Sequence, residues 1–400
     1  MQNITINTPG SHLMKTYQRA PIKLAKGKGS FVWDIDGKKY LDFTSGIATC
    51  NLGHVPDLVK NALMNQLDQI WHCSNLYQID PQEKLAQLLS DVSCFDEVFF
   101  CNSGAEANEA AIKLARIYAK NIAHKQSTEI VTFTQSFHGR TLATLSATGQ
   151  KKIQKGFEPL MPGFNYLPFN EDTSLKQLKE INPCAVLIEI VQGEGGVIPA
   201  KKEWIQELAV ICKEQNILLM VDEIQTGMGR TGTLFAYEQY GIEPDIMTLA
   251  KGLGSGFPIG AMLAKRNIAL AFTPGTHGST FGGNPLAVVA GTATLEAFHT
   301  MNILEKCEQQ IQELWLGLKG LMEKYPMIEE VRGRGFLIGV VINSDAAKAI
   351  EIARKEKLLL LSAGPNVIRI LPPLTITNEE INRFLSSFTK VLIDMEGDAQ

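Results

Sequence analysis

Several classes of protein are excluded by what the 400-residue sequence does not contain. It has no run of about 18 apolar residues, the length that begins to allow a bilayer crossing, so we predict no membrane span. The opening segment MQNITINTPGSHLMKTY has no apolar stretch of the kind found in secretory signals. A formal charge of −4 predicts no basic surface for nucleic acid or an anionic membrane. We therefore expect a cytoplasmic protein that binds neither.

Metal and disulfide frameworks are also not indicated. The seven cysteines are scattered and include no C-x-x-C pair, so we predict reduced thiols and no zinc knuckle. Four histidines show no metal-ligand spacing, so we predict structural or supporting roles for them and no metal site: His54, His72, His138 and His277.

Two glycine-rich runs do not have the spacing of nucleotide-binding loops. GLGSG (252–256) and RGRGFLIG (332–339) lack the G-x-G-x-x-G pattern, and G-x-x-x-x-G-K-[ST] does not occur. These runs therefore predict turns rather than a nucleotide site.

Short apolar runs alternate with amphipathic stretches through the middle of the chain. Near-continuous apolar runs are typical of strands that are covered on both faces, and helical periodicity between them is clearest at 104–120 and 201–215. This alternation predicts an α/β fold with a mostly parallel sheet wrapped by helices. The predicted strands are 97–101, 129–133, 185–191, 217–222, 245–250 and 259–264.

The pattern changes after about residue 300, which predicts a second domain. We expect an N-terminal segment (1–55) that packs with the small domain or across a subunit interface, a large domain (56–300) and a small α+β domain (301–400). In the first segment, Asp36-Gly37 predicts the turn of a meander. The expected elements of the small domain are a helix at 303–325, a glycine-rich strand at 331–342, a further helix, short strands at 357–361 and 366–371, and a helix at 377–394.

Lys251 and Asp222 are the candidate catalytic residues. Lys251 follows a predicted strand, where open α/β sheets bind ligands, and burial there would make its amine nucleophilic toward an aldehyde. The alternative for Lys251 is a solvated loop lysine. Asp222 ends the apolar run ILLMV and needs a cationic partner such as a protonated pyridine nitrogen, which is what pyridoxal phosphate (PLP) requires of a protein. The alternative for Asp222 is a helix cap.

Ser103, Gly104 and Ala105 form the candidate phosphate cradle. They follow a predicted strand and open a predicted helix, where free N–H groups and the helix dipole favour an anion. Ser103 is also a suitable N-cap, with Glu106 completing a capping box, and both interpretations can hold together.

Four further residues are candidates for contacts with the ring and the substrate. Phe137 could stack on the pyridine ring, and Arg140 could bind a substrate carboxylate through two hydrogen bonds. Gln225 could reach the ring hydroxyl, and Ile224 could cover one ring face. The alternatives are core packing for Phe137 and Ile224 and a structural ion pair for Arg140.

Taken in order, six motifs resemble the class III, or ornithine-type, PLP aminotransferases. The resemblance covers about residues 40 to 375 and implies the PLP-dependent aminotransferase fold type I, with a homodimer whose subunits share their active sites. The motifs are FCNSGAEANEAAIKLAR, SFHGRT, QGEGGV, VDEIQTGMGRTG, LAKGLGSGFPIGAML and HGSTFGGNP.

The resemblance also implies roles for individual residues. Lys251 would be the Schiff-base lysine, and Asp222 would bind the pyridine nitrogen. Arg140 would bind the distal carboxylate of glutamate and Arg369 its α-carboxylate, while Glu194 would neutralise Arg369 when an ω-amino substrate is bound. The remaining implied contacts are Ser103, Gly104, Ala105, Phe137, Ile224 and Gln225 with the cofactor, Thr280 with the phosphate of the neighbouring subunit's cofactor, and Ser279 with the substrate.

Within the family, LDFTSGIA, HCSNLY and HGSTFGGNPLA resemble the members that act on N-acetylornithine. Family members that act on free ornithine have a tyrosine where this chain has Ile47, which favours an acylated substrate. The resemblance thus implies transfer of the δ-amino group of N2-acetylornithine to 2-oxoglutarate. Other ω-amino donors (succinylornithine, succinyl-diaminopimelate, 4-aminobutyrate, ornithine) and a racemase or aminomutase remain alternatives. One departure is that the family's G-H-x-H-P is shortened to Gly53-His54-Val55-Pro56.

Overall fold

The computed structural model describes residues 12–397. Residues 1–11 of the predicted N-terminal segment and residues 398–400 of the predicted small domain lie outside the described residues. The strands in chain order are β1 (Leu24–Lys28), β2 (Phe31–Asp34), β3 (Lys39–Asp42), β4 (Glu97–Cys101), β5 (Ile130–Phe133), β6 (Phe164–Leu167), β7 (Ala185–Ile188), β8 (Val191–Gln192), β9 (Ile198–Pro199), β10 (Leu218–Asp222), β11 (Ile246–Leu249), β12 (Gly260–Ala264), β13 (Ile328–Arg334), β14 (Leu337–Ile342), β15 (Leu358–Leu359), β16 (Leu361–Ser362) and β17 (Val367–Ile370).

Helices separate most of these strands. They are α1 (Ser45–Ala48), α2 (Asp57–Leu67), α3 (Asp80–Asp91), α4 (Gly104–Asn121), α5 (Leu142–Ala147), α6 (Lys151–Gln154), α7 (Asp172–Ile181), α8 (Lys202–Glu214), α9 (Arg266–Ala269), α10 (Pro285–Thr300), α11 (Ile303–Lys324), α12 (Ala346–Lys355) and α13 (Asn378–Gly397). In the described part of the chain, none of them is both long enough and apolar enough to pass through a membrane.

A seven-stranded sheet in the order β4-β12-β11-β10-β7-β5-β6 is the centre of the molecule. β12 runs antiparallel to both of its neighbours, and the other described pairs are parallel. The predicted α/β class with a mostly parallel sheet is therefore confirmed. The apolar runs become strands because both faces are covered, and every residue of β5, β7, β10, β11 and β12 is buried.

The N-terminal meander meets the C-terminal part of the chain. β1, β2 and β3 form a sheet to which β15 adds in parallel, with Leu41 opposite Leu358. Phe43 stacks on Phe384 of α13 with the ring centroids 4.2 Å apart. Residues far apart in sequence therefore share one packed region, although the domain boundaries at 55 and 300 stay a prediction.

Two strand predictions in the C-terminal part are wrong. The glycine-rich segment 331–342 forms a hairpin of β13 and β14 rather than one strand, because Gly335 adopts a φ of +55° that turns the chain. Segment 357–361 supplies two short strands to different sheets, β15 to the N-terminal sheet and β16 to β17. Apolar composition marked both segments correctly as extended, but it did not show where each one pairs.

Arg230 lies in GMGRTG (227–232), a run that has the G-x-G-x-x-G spacing but does not open a helix, as a dinucleotide loop would. Its side chain is fully buried, and burial lowers the pKa of the guanidinium to about 10. Nη1 donates to the carbonyl oxygens of Phe336 at 3.3 Å and Pro372 at 2.5 Å, and Nη2 donates to Asn51 Oδ1 at 2.8 Å. One cation thus joins the loop after β10 to three distant segments.

Replacing Arg230 with methionine should lower the free energy of unfolding by about 3 kcal/mol, because three buried acceptors lose a charged donor. Urea unfolding followed by circular dichroism measures this change. Arg266→Met removes an exposed arginine and is the control, with an expected change within about 0.5 kcal/mol. Equal stability of the two variants would contradict the role assigned to Arg230.

Candidate active site

A cavity of about 410 Å³ lies at one edge of the central sheet. β4, β5, β7, β10 and β11 run in the same direction, so their carboxyl ends meet at this edge. The segments that follow these five strands line the cavity and include nine of the predicted site residues: Ser103, Gly104, Ala105, Phe137, Arg140, Asp222, Ile224, Gln225 and Lys251.

Lys251 begins a short 3₁₀ helix directly after β11. Its φ of +38° is uncommon for a residue with a side chain, and such conformations are concentrated at functional sites. The pKa of Lys251 is lowered to about 8, mainly by burial and also by nearby Arg369, whereas Glu194 and Asp222 oppose the shift. Within residues 12–397 the Nζ atom forms no hydrogen bond or ion pair. Lys251 therefore presents an amine that is partly neutral near physiological pH.

Asp222 ends β10 and is only 4% exposed. Its Oδ2 is 2.8 Å from His138 Nδ1 and 2.8 Å from Asn108 Nδ2, and its Oδ1 accepts the N–H of Ile224 at 3.1 Å. These partners hold a buried carboxylate in one orientation at the wall of the cavity.

The hydrogen-bond network around Asp222 was not evident from the sequence. Asn108 also donates to the carbonyl oxygen of His138 and accepts from Thr248 Oγ1 at 2.8 Å, which connects α4, the loop after β5 and β11. His138 was predicted to have a structural or supporting role, but its partner was unknown, and Asn108 and Thr248 were missed. The available signal was a polar side chain, Asn108, on the buried face of a helix that is otherwise lined with apolar residues, mostly alanine.

The predicted phosphate cradle forms the start of α4. Ser103 caps the helix by accepting the N–H of Glu106 at 3.2 Å, but the Glu106 carboxylate accepts the N–H of Asn102 rather than that of Ser103. The expected capping box is therefore shifted by one residue. A Cβ on Gly104 would lie 2.7 Å from Ile224 Cδ1, so glycine is required for the helix to approach Ile224. The first N–H groups of a helix have no partner inside it, and here they border the cavity.

Arg140 and Phe137 lie together at the mouth of the cavity. Arg140 is exposed, and its guanidinium carbon is 5.6 Å from the centre of the Phe137 ring. Both residues also line a neighbouring groove. This position leaves the guanidinium available to a carboxylate that enters from either side.

Arg369 of β17 is 2% exposed and is paired with Glu194. Arg369 Nη1 is 2.5 Å from Glu194 Oε1, 3.1 Å from Gln225 Oε1 and 3.2 Å from the carbonyl oxygen of Gly193. Burial acts to raise the pKa of Glu194, but Arg369 outweighs it and the net pKa is lowered. The structure therefore brings together two residues that are 175 positions apart, and it places Gln225 against them.

Ser279 and Thr280 do not line the cavity in the described chain. Ser279 Oγ accepts from Asn102 Nδ2 at 3.3 Å and from the N–H of Gly282 at 3.0 Å, and Thr280 is exposed. Ile47 is also exposed and does not border the cavity. The predicted roles of Ser279 and Thr280 stay predictions.

The shortened loop Gly53-His54-Val55-Pro56 is held in place through His54. His54 Nε2 lies 2.7 Å from Asp42 Oδ2, and this hydrogen bond raises the pKa of His54 to about 10. The backbone of His54 bridges to Gly29. The loop is thus fixed to the N-terminal sheet by an ion pair as well as by backbone contacts.

Cations predominate in the groove beside Arg140. Lys151, Lys152 and Lys155 line it and are exposed, and within residues 12–397 none of the three forms an ion pair. The only carboxylate among the described lining residues is Glu194, which is already bound to Arg369. An otherwise acidic protein therefore has a basic approach to this edge of the cavity.

Known proteins of similar sequence match nearly the whole chain. An acetylornithine aminotransferase of Oceanobacillus iheyensis is 58% identical over 97% of this chain and 97% of its own length. An acetylornithine aminotransferase of Bacillus subtilis is 49% identical over 96% of this chain and 98% of its own length.

Solved structures show the same fold. The N-acetylornithine aminotransferase of Stenotrophomonas maltophilia superimposes with a TM-score of 0.84 at 37% identity, covering 95% of this chain and 98% of that one. The ornithine aminotransferase of Toxoplasma gondii, with PLP at partial occupancy in its active site, gives a TM-score of 0.92 at 31% identity, covering 97% of this chain and 93% of that one. The profile of the aminotransferase class-III family matches residues 13–392, and this chain therefore belongs to that family.

Proposed function

We propose that this chain transfers the δ-amino group of N2-acetylornithine to 2-oxoglutarate, giving N-acetylglutamate 5-semialdehyde and glutamate. The observation that carries the proposal is a pair of arginines with different surroundings: Arg140 is exposed and lines the cavity, whereas Arg369 contacts the cavity residue Gln225 and is masked by Glu194. Relatives that are 47% to 58% identical over nearly their full length are acetylornithine aminotransferases. A cytoplasmic location, a homodimer with shared active sites and a role in arginine biosynthesis are parts of the same proposal.

The cavity fits pyridoxal phosphate, the cofactor of this family. Asp222 has its two polar partners on Oδ2, and Oδ1 accepts only a backbone N–H within the described residues. The start of α4 offers N–H groups to a phosphate, and Lys251 has a free amine. When bound, PLP supplies an aldehyde that takes up the amino group and a ring that delocalises negative charge from the substrate carbon.

The two catalytic residues would have distinct tasks. Lys251 would hold the cofactor covalently and, once released by the substrate, would move a proton at the substrate carbon, which its lowered pKa favours. Asp222 would keep a proton on the ring nitrogen, and His138 and Asn108 keep its carboxylate aligned for that contact. Phe137 and Ile224 would border the ring, and Gln225 would reach its hydroxyl.

Arg140 and Arg369 would allow the site to bind N-acetylornithine and 2-oxoglutarate in different ways. N-acetylornithine would place its α-carboxylate on Arg140, while Glu194 continues to neutralise Arg369. 2-Oxoglutarate has a second carboxylate, which would displace Glu194 and bind Arg369. One pocket could then accept an ω-amine and an α-keto acid in turn.

The substrate assignment is tested with a panel of amino donors, with 2-oxoglutarate as the acceptor. N-acetylornithine should have the highest kcat/KM among N-acetylornithine, ornithine, 4-aminobutyrate, N-succinyl-diaminopimelate and acetyl-lysine. A preference for free ornithine would overturn the substrate but leave the family unchanged, whereas turnover without 2-oxoglutarate would indicate a racemase or aminomutase.

The covalent role of Lys251 predicts a specific pH dependence for cofactor attachment. The amine reacts only when neutral, so the rate at which the apoprotein binds PLP should rise with pH and level off above about 8, not above 10.5. Stopped-flow absorbance measures the rate, and borohydride reduction followed by peptide mapping should label Lys251. Labelling of another lysine, or a rate that still rises at pH 10, would contradict this role.

The masking of Arg369 predicts the effect of removing Glu194. Glu194→Ala should raise the kcat/KM of the glutamate half-reaction relative to that of N-acetylornithine by roughly tenfold, because Arg369 loses its competing carboxylate. Single-turnover kinetics with each donor give the ratio. Glu203→Ala, an exposed position on α8, serves as the control, and an unchanged ratio in Glu194→Ala would argue against the switch.

The basic groove predicts that salt affects the two substrates unequally. Because 2-oxoglutarate is a dianion and N-acetylornithine has no net charge, kcat/KM should fall several-fold for the keto acid alone between about 20 mM and 500 mM salt. The double variant K151Q/K152Q should weaken this dependence, and K202Q/K213Q on α8 should not. Equal salt dependence for both substrates would rule out steering by the groove.

A further inference from the structure

Glu189 is a buried carboxylate at the cavity that the proposed mechanism does not use. It follows β7, is 6% exposed and lines the cavity. Its Oε1 accepts the N–H of Phe137 at 2.8 Å, and its Oε2 accepts the N–H of Gly193 at 3.2 Å. Each oxygen of one side chain is therefore occupied by the backbone of a different segment.

The two segments carry the groups that handle substrate carboxylates. Residues 137–140, here called the arginine arm, follow β5 and present Arg140. Residues 193–194, the glutamate arm, present Glu194, and the carbonyl oxygen of Gly193 accepts from Arg369 Nη1 at 3.2 Å. In the described part of the chain no hydrogen bond joins residues 137–140 to residues 193–194 directly. Beside the arms, Gln192 Nε2 donates to the carbonyl oxygen of Thr134 at 3.0 Å, and Glu189 is the side chain that bonds to both arms themselves.

We propose that Glu189 is a positioning residue whose ionised carboxylate fixes the position of the arginine arm relative to the glutamate arm. A ligand with two carboxylates, bound to Arg140 and Arg369 together, requires that fixed relative position. A ligand with one carboxylate, bound to Arg140 alone, does not. Glu189 thereby determines how strongly the pocket prefers the dicarboxylate substrate, an inference that rests on the proposed function.

The chemistry of the link requires both oxygens to be acceptors. An ionised carboxylate accepts strongly at both, whereas the hydroxyl oxygen of a protonated carboxyl group is a weaker acceptor and the NH2 group of an amide is only a donor. Either change weakens or removes the hydrogen bond to one arm. Glutamine at position 189 therefore imitates the protonated state in nearly the same volume.

Protonation of Glu189 falls in an accessible pH range. The pKa of Glu189 is raised to about 7, mainly by burial and also by Asp222, while His138 and the N–H groups of Phe137 and Gly193 oppose the shift. Lys251, which faces the same cavity, has a pKa of about 8 and also responds to Glu189. As pH falls through 7, Glu189 gains a proton and its hydrogen bond to one arm weakens. The affinity for dicarboxylates should therefore fall, while the affinity for monocarboxylates changes less.

Calorimetric titration of the holoenzyme tests the inference with two unreactive probes, glutarate (two carboxylates) and pentanoate (one carboxylate). Glu189→Gln should raise the Kd of glutarate about tenfold at pH 8 and that of pentanoate less than about twofold. In the unaltered protein the ratio of the two Kd values should shift the same way between pH 8 and pH 6. The variant should show no such shift.

Glu223→Gln is a matched control. Burial raises the pKa of Glu223 to about 7 as well, and it accepts the N–H of Tyr237 at 2.9 Å and the hydroxyl of Thr226 at 2.5 Å, but it contacts neither arm. This variant should keep the glutarate Kd of the unaltered protein.

Four results would count against the proposals. An unchanged glutarate Kd in Glu189→Gln, or equal weakening of both probes, would overturn the positioning role alone. Failure of glutarate to bind the unaltered protein would overturn the proposed dicarboxylate acceptor, and this inference with it. If Glu189→Gln does not fold, the pH series of the unaltered protein decides, and a constant ratio of the two Kd values overturns the role.

Discussion

The site depends on the hydrogen bonds that satisfy the buried Asp222 carboxylate. A buried carboxylate is costly unless hydrogen bonds compensate for the lost water, and here His138, Asn108 and the N–H of Ile224 do so. These partners come from three different elements, so satisfying one charge aligns α4, the loop after β5 and the turn after β10. The same elements carry Gly104, Phe137 and Ile224, which line the cavity, so the aspartate is a structural reference for the cavity.

Arg369 is a second buried charged residue, and its main partner is held less rigidly than the partners of Asp222. Its main partner is Glu194, a side chain on a short loop rather than on the central sheet, and Glu194 is about one-third exposed. A partner held in this way can be replaced by a ligand carboxylate at a smaller cost than one fixed in the core. The proposed switch therefore needs a strong but exchangeable ion pair, while Asp222 needs a permanent arrangement.

The amino-acid pattern predicted much of the architecture. Runs such as 217–222 and 245–250 became central strands because apolar residues without alternation suit only a sheet covered on both faces. Pairing was harder to predict, as segments 331–342 and 357–361 show. Their hydrogen bonds depend on neighbours far away in the chain and on the turn at Gly335, and these features leave no local periodicity.

By itself the sequence determined the family, through motifs that occur in the family's order, and it made Lys251 and Asp222 the catalytic candidates, because each stands at the end of an apolar run. Only the tertiary structure decided that Asn108 and His138 orient Asp222 and that Glu189 joins two loops. Hydrogen bonds form between whichever groups folding brings within about 3 Å, and the spacing of residues along the chain does not encode that proximity.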